Sequence, residues 1–170
     1  MSSISAETVP PVSANIREVR EEKKQYLPLL LLGDEQEEMI SRYLESGTMY
    51  VLEDDGVKAE CVVTAEPDGI LEIRNIAVDP GSQGKGYGRA LIRFLEKEYR
   101  GRFRSLQAGT GDSPLTVPFY EKCGFAECGR VPGYFEKHYD HPIIEGGVRL
   151  SDLVVFRKEL QEDDDQRDIG

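Results

Sequence analysis

The chain has 170 residues, with 21 Lys and Arg against 32 Asp and Glu, and a formal charge of −11. So acidic a chain lacks the basic face that phosphate neutralisation requires, which argues against nucleic acid as a partner. Hydrophobic residues at 39% and charged residues at 31% suit a soluble globular domain, and no apolar run nears the roughly 18 residues needed to span a bilayer.

The ends read as disordered. Residues 1–13 hold Pro10 and Pro11 with little periodicity, and residues 162–170 set five acids against Arg167. Met1 to Val9 has neither a basic nor an apolar leader region, so the expected compartment is the cytoplasm. Residues 14–161 are then one domain.

Within it, Asn15 to Val19 reads as a short strand, and Lys23 to Leu44 as two short helices broken near Gly33, with Asp34 as N-cap. Met49 to Glu53 and Val57 to Ala65 form a hairpin through Asp54-Asp55-Gly56, and Glu66-Pro67-Asp68-Gly69 returns the chain into a strand from Ile70 to Val78. Tyr87 to Tyr99 carries Leu91, Phe94 and Leu95 at helical spacing. A strand from Arg104 to Ala108, a helix from Leu115 to Lys122 ended by Gly124, and strands from Phe125 to Arg130 and Leu153 to Lys158 complete the pattern. The fold class is α/β (α+β): a mostly antiparallel mixed sheet, helices on both faces, and a crossover through Tyr87 to Tyr99 that sets its two flanking strands parallel.

Cys61, Cys123 and Cys128 are an odd set, expected to be reduced thiols that are buried or partly buried. Cys123, Cys128, His138 and His141 approach a zinc pattern. However, nine residues separate Cys128 from His138 and only two separate the histidines, so no metal is expected.

The densest glycine stands where a strand passes into a helix, in Gln83-Gly84-Lys85-Gly86-Tyr87-Gly88-Arg89. A helix start offers unpaired N–H groups, and glycine lets a pyrophosphate approach them. Lys85 and Arg89 add positive charge. A Walker loop would need a hydroxyl after Lys85, where Gly86 stands, and a dinucleotide fingerprint would place its third glycine one residue later than Gly88.

Ile73 to Pro80, then Gln83 to Gly88, then Phe119-Tyr120-Glu121-Lys122-Cys123-Gly124-Phe125, resemble the motifs of the GNAT superfamily of acetyl-CoA-dependent N-acetyltransferases. The resemblance implies acetyl-CoA in a splay between the Ile70-to-Val78 and Arg104-to-Ala108 strands. Its pantetheine would lie on the backbone of Ile76, Ala77 and Val78, and its pyrophosphate on Gln83, Gly84, Lys85, Gly86, Tyr87, Gly88 and Arg89. Ser113 stands where the family often has a cofactor-touching asparagine, so it either bonds pantetheine or caps the following helix. A homodimer is the family's suggestion for assembly.

Acetyl transfer to an amine needs a neutral nucleophile and a stabilised leaving thiolate. A lysine-like amine is only ~0.04% neutral at pH 7, so a base helps. Glu72 matches the catalytic glutamate of the histone-acetylating branch; it is either that base or a paired surface charge. Simple alternation puts Glu72, Arg74, Ile76 and Val78 on one strand face, opposite Leu71, Ile73, Asn75 and Ala77. Tyr120 is the candidate proton donor, with core packing as its alternative. The acceptor would be a primary amine of a small molecule or peptide, met by Lys23 to Leu44 and by the aromatic segment Gly133 to Gly147. A non-catalytic acetyl-CoA-binding or sensing module is the other reading.

Overall fold

The computed structural model describes residues 14–160; the two ends expected to be disordered lie outside the described residues. Strands β1 (Asn15–Val19), β2 (Thr48–Glu53), β3 (Val57–Glu66) and β4 (Ile70–Val78) form an antiparallel meander. Asp55 and Gly56 take positive φ (57° and 96°) in the first hairpin turn, and Asp68 and Gly69 (66° and 74°) in the second. Helix α1 (Leu27–Gly33) and helix α2 (Glu37–Ser41) lie between β1 and β2. The N-cap of α2 is Gln36 rather than Asp34, whose carboxylate is used elsewhere.

After β4, helix α3 (Tyr87–Tyr99) crosses to β5 (Ser105–Gly111), and helix α4 (Val117–Lys122) leads to β6 (Ala126–Val131). A short helix α5 (Tyr134–His138), a hairpin of β7 (Ile144–Glu145) and β8 (Val148–Arg149), and β9 (Leu153–Glu159) close the described chain. The sheet order is β1-β2-β3-β4-β5-β9-β6; β4 and β5 form its parallel pair, and the other neighbours are antiparallel. The sequence pattern gives α3 its observed bounds, whereas α5 and the β7–β8 hairpin fall in and just after the segment Gly133 to Gly147, where the pattern assigns no element.

Two cores sandwich the sheet. On one face Tyr87, Leu91, Ile92 and Leu95 of α3 and Tyr120 of α4 pack on Cys61, Leu71, Ile73, Leu106 and Phe156. On the other, Leu30 of α1 and Ile40 of α2 pack on Met49, Val51 and Val62. Burying such aliphatics contributes roughly 1.5–3 kcal/mol each. The second layer is tied down by Lys23, whose buried ammonium donates to the carbonyls of Leu44, Glu45 and Gly47 at 2.9, 3.3 and 2.7 Å. All three cysteines are free thiols; Cys61 and Cys123 are buried, but Cys128 is exposed, because β6 is an open edge strand.

Candidate active site

The parallel pairing of β4 and β5 runs from Ile70 opposite Ser105 to Ile73 opposite Ala108, and stops there. Beyond it β5 stays with β9 and β4 stays with β3, so an opening begins at Arg74. A β-bulge is the local cause: Val62 pairs with Asn75 and Val63 with Ile73, which leaves Arg74 without a partner and bends its strand.

The bulge overturns simple alternation. Residues opposite one another in an antiparallel pair share a face. Leu71 and Ile73 lie opposite Ala65 and Val63, and after the bulge Ile76 and Val78 lie opposite Cys61 and Ala59, all on the α3 face. Glu72, Asn75 and Ala77 point to the α1 face instead. The Asp79 N–H bonds the Lys58 carbonyl on β3 at 2.8 Å. Since successive residues direct their polar groups to opposite edges, Ile76 and Val78 turn theirs into the opening, ready for an added strand.

At the end of β4 the chain turns through Pro80–Ser82 into the glycine segment. Gly86 is the N-cap of α3 with φ 83°, a conformation that costs an L-residue roughly 1–2 kcal/mol. Ala90 is the first helical residue to bond back, to the Gly86 carbonyl at 2.9 Å. Among the described residues, no backbone hydrogen bond uses the N–H groups of Gly84 to Arg89. Gly88 is also tightly packed: a Cβ there would meet the Phe119 ring at 3.1 Å, so the ring would have to give way. This is an anion cradle in geometry and in helix polarity. Tyr87 contributes only its backbone there; its ring is in the core and its hydroxyl donates to Asp54. The Arg89 side chain lies on the α3 flank facing Cys123 and Lys158, while Lys85 is exposed.

Tyr120 reaches the opening from the α3 face. Its ring stacks on Phe156 (5.7 Å, 19°) and meets Phe119 and Phe125 edge-on, so packing aims the phenol. Its hydroxyl bonds nothing among the described residues, and burial, then the nearby Cys123 and Glu72, push its pKa up, so it stays neutral. Glu72 comes from the other face. Gln107 donates to it at 2.8 Å, and Arg157 in turn donates to Gln107 at 2.6 Å. Burial raises its pKa; the Gln107 bond and Arg74 oppose this. Ser113 is buried and its hydroxyl accepts from the Leu115 N–H at 3.0 Å in a local turn, and it does not cap α4, whose N-cap is Thr116.

The α1 face also brings together residues of the two segments expected to meet the acceptor, in a pairing the sequence does not give. Asp34 accepts from the Tyr139 hydroxyl at 2.9 Å and the Tyr43 hydroxyl at 3.4 Å. Asn75 donates to the Tyr43 oxygen at 3.0 Å, and the Arg74 guanidinium lies 5.6 Å over the Tyr43 ring. These partners are distant in sequence, so no local spacing could announce them. Among the described residues no group of three or more His, Cys, Asp or Glu could hold a metal ion.

A sequence model of the acetyltransferase (GNAT) domain matches residues 45–127. The chain is 33% identical over 135 residues to the uncharacterised N-acetyltransferase YvbK of Bacillus subtilis (strain 168), covering 78% of this chain and 87% of that protein. Among solved structures it is similar to an IAA acetyltransferase from Bacillus cereus ATCC 14579, with 35% identity, TM-score 0.81, and coverage of 87% of this chain and 100% of that one. A GNAT family acetyltransferase from Elizabethkingia anophelis, with acetyl-CoA bound, matches at TM-score 0.83 and 27% identity, over 88% of this chain and 100% of that one. With the splayed parallel pair, the cradle and these relatives together, the chain belongs to the GNAT family of N-acetyltransferases, whose co-substrate is acetyl-CoA.

Proposed function

We propose that the protein moves an acetyl group from acetyl-CoA directly to a primary amine at the β4–β5 opening. The observation that carries this reading is the pairing of an unpartnered strand edge with an unpartnered set of helix-start amides, one suited to pantetheine and the other to pyrophosphate. Ile76 and Val78 hold the first, with Ala77 between them directing its polar groups to β3; Gln83, Gly84, Lys85, Gly86, Tyr87, Gly88 and Arg89 hold the second.

Acetyl-CoA supplies an activated thioester carbonyl. Glu72 accepts the acceptor's proton, directly or through water, and its raised pKa brings it nearer to the working pH, where a base is most effective. Tyr120 hydrogen-bonds the departing sulfur while remaining neutral, and its raised pKa suits that role better than complete proton transfer. Ser113 holds the turn that leads into α4, which carries Tyr120, and its O–H is left to donate to pantetheine.

A cytoplasmic location is supported by free Cys128, an exposed thiol suited to a reducing compartment. Among the described residues no helix is long and apolar enough to cross a membrane. For assembly with a second copy, β6 offers an open sheet edge.

Isothermal titration with acetyl-CoA, followed by thiol release across an amine panel, tests the reading. Binding and turnover are expected, and Gly86→Glu is expected to abolish binding by placing bulk and negative charge in the cradle. Unchanged affinity in that variant refutes the cradle assignment.

A further inference from the structure

Opposite charges are held side by side on the acceptor side of the opening. Asp34 is oriented by hydroxyls from two elements, Tyr139 beyond α5 and Tyr43 beyond α2, so its carboxylate is fixed before any ligand arrives. Glu72 is fixed on β4 by Gln107. Arg74 is thrown out of the strand ladder by the bulge and rests over Tyr43, the same ring whose hydroxyl bonds Asp34. Arg42 stands one residue from Tyr43. Among the described residues neither Arg74 nor Arg42 forms an ion pair with a carboxylate, in a chain with 32 acids against 21 bases. The Tyr134 phenol of α5 lies in the field of all four groups, Asp34 and Glu72 on the one hand and Arg74 and Arg42 on the other.

Two further contacts join the segments that close this end of the site. Gln36 donates to Asp140 at 3.1 Å, and His141 lies 3.8 Å from Glu35. With the Asp34–Tyr139 bond, residues 34–36 and 139–141 are linked three times, which ties together the two segments expected to meet the acceptor.

Resting on the acetyl-transfer reading, we propose that the acceptor is a small zwitterion of the amino-acid class, its amino group between Asp34 and Glu72 and its carboxylate on Arg74 and Arg42. An amine without an anionic group meets the carboxylates but is repelled by two guanidiniums. A diamine or polyamine is opposed more strongly. A zwitterion satisfies both pairs, and planar guanidinium–carboxylate recognition also orients it. Tyr134 supplies an aromatic surface for the side chain beyond the two charges.

The test uses matched pairs: phenylalanine with phenethylamine, tryptophan with tryptamine, methionine with 3-(methylthio)propylamine, and lysine with cadaverine. For at least one pair, kcat/KM for the amino acid is expected to exceed that of the decarboxylated amine by about tenfold or more. Arg74→Gln, at an exposed position, is expected to bring that ratio near one without changing acetyl-CoA affinity; Arg42→Gln gives a second readout at another exposed position. Decarboxylated partners that are equal or better in every pair overturn the inference, as does a ratio unmoved by both variants. Turnover of none of the eight compounds, with acetyl-CoA still bound, also overturns it. Failure to bind acetyl-CoA at all overturns the transfer reading and this inference with it.

Discussion

Glu72 and Tyr120 stand on opposite faces of the sheet, at the point where β4 and β5 part. In the mechanism we propose, this separation assigns one group to the incoming amine and the other to the departing sulfur. It arises from alternation before the bulge, which buries Leu71 and Ile73 beside Tyr120 and turns Glu72 the other way.

Tyr120→Phe removes a hydroxyl that bonds nothing among the described residues and keeps the ring stacked on Phe156. Stability and acetyl-CoA affinity are expected to hold while kcat falls at least tenfold. Steady-state kinetics with calorimetry checks this; equal losses in kcat and affinity contradict a transition-state role.

Glu72→Gln is expected to lower kcat/KM by about a hundredfold and to change its pH profile. Burial raises the Glu72 pKa, so its basic form grows as pH rises through a value above the ordinary carboxylate range. The wild-type profile therefore carries an acidic limb displaced upward, and the variant loses that limb. The same limb in both proteins would leave Glu72 as no more than a partner for Gln107.

Glu60 is fully buried between Val51 and Ala77, and among the described residues neither carboxylate oxygen has a hydrogen-bond partner. Burial alone holds its pKa well above the ordinary value. A raised carboxyl pKa stabilises the fold fully below the unfolded pKa, near 4.3, and that contribution is lost as pH rises through the folded value. Glu60→Leu removes this loss, so its Tm advantage over wild type is expected to widen between pH 5 and pH 8. Thermal scans at several pH values check it; a constant difference contradicts the linkage.

Lys23→Met leaves the carbonyls of Leu44, Glu45 and Gly47 without their buried cation. Loss of hydrogen bonds to a charged group costs about 1.5–3 kcal/mol, which lowers Tm by roughly 4–10 °C for a chain of this size. Calorimetry measures it, and an unchanged Tm would show the clamp to be dispensable.

The glycine segment, the crossover helix and the Phe119-to-Phe125 motif were legible in the sequence because each is a local pattern: loop chemistry, 3.6-residue spacing, a helix stop. The Arg74 bulge was not, since it depends on how β3 aligns with β4, and its consequence for Ile76 and Asn75 follows only from that register. Asp34 illustrates the same limit. Its position before a helix suggests a cap, while its actual partners, Tyr43 and Tyr139, are brought to it by packing.

Amide hydrogen exchange read residue by residue, with and without acetyl-CoA, tests the central claim most directly. The account predicts that acetyl-CoA slows exchange at the N–H groups of Gly84 to Arg89, which make no backbone hydrogen bond among the described residues, and of Ile76 and Val78, which turn away from β3 beyond the end of the β4–β5 ladder. Saturating acetyl-CoA that leaves those amides exchanging at their free rates would contradict it.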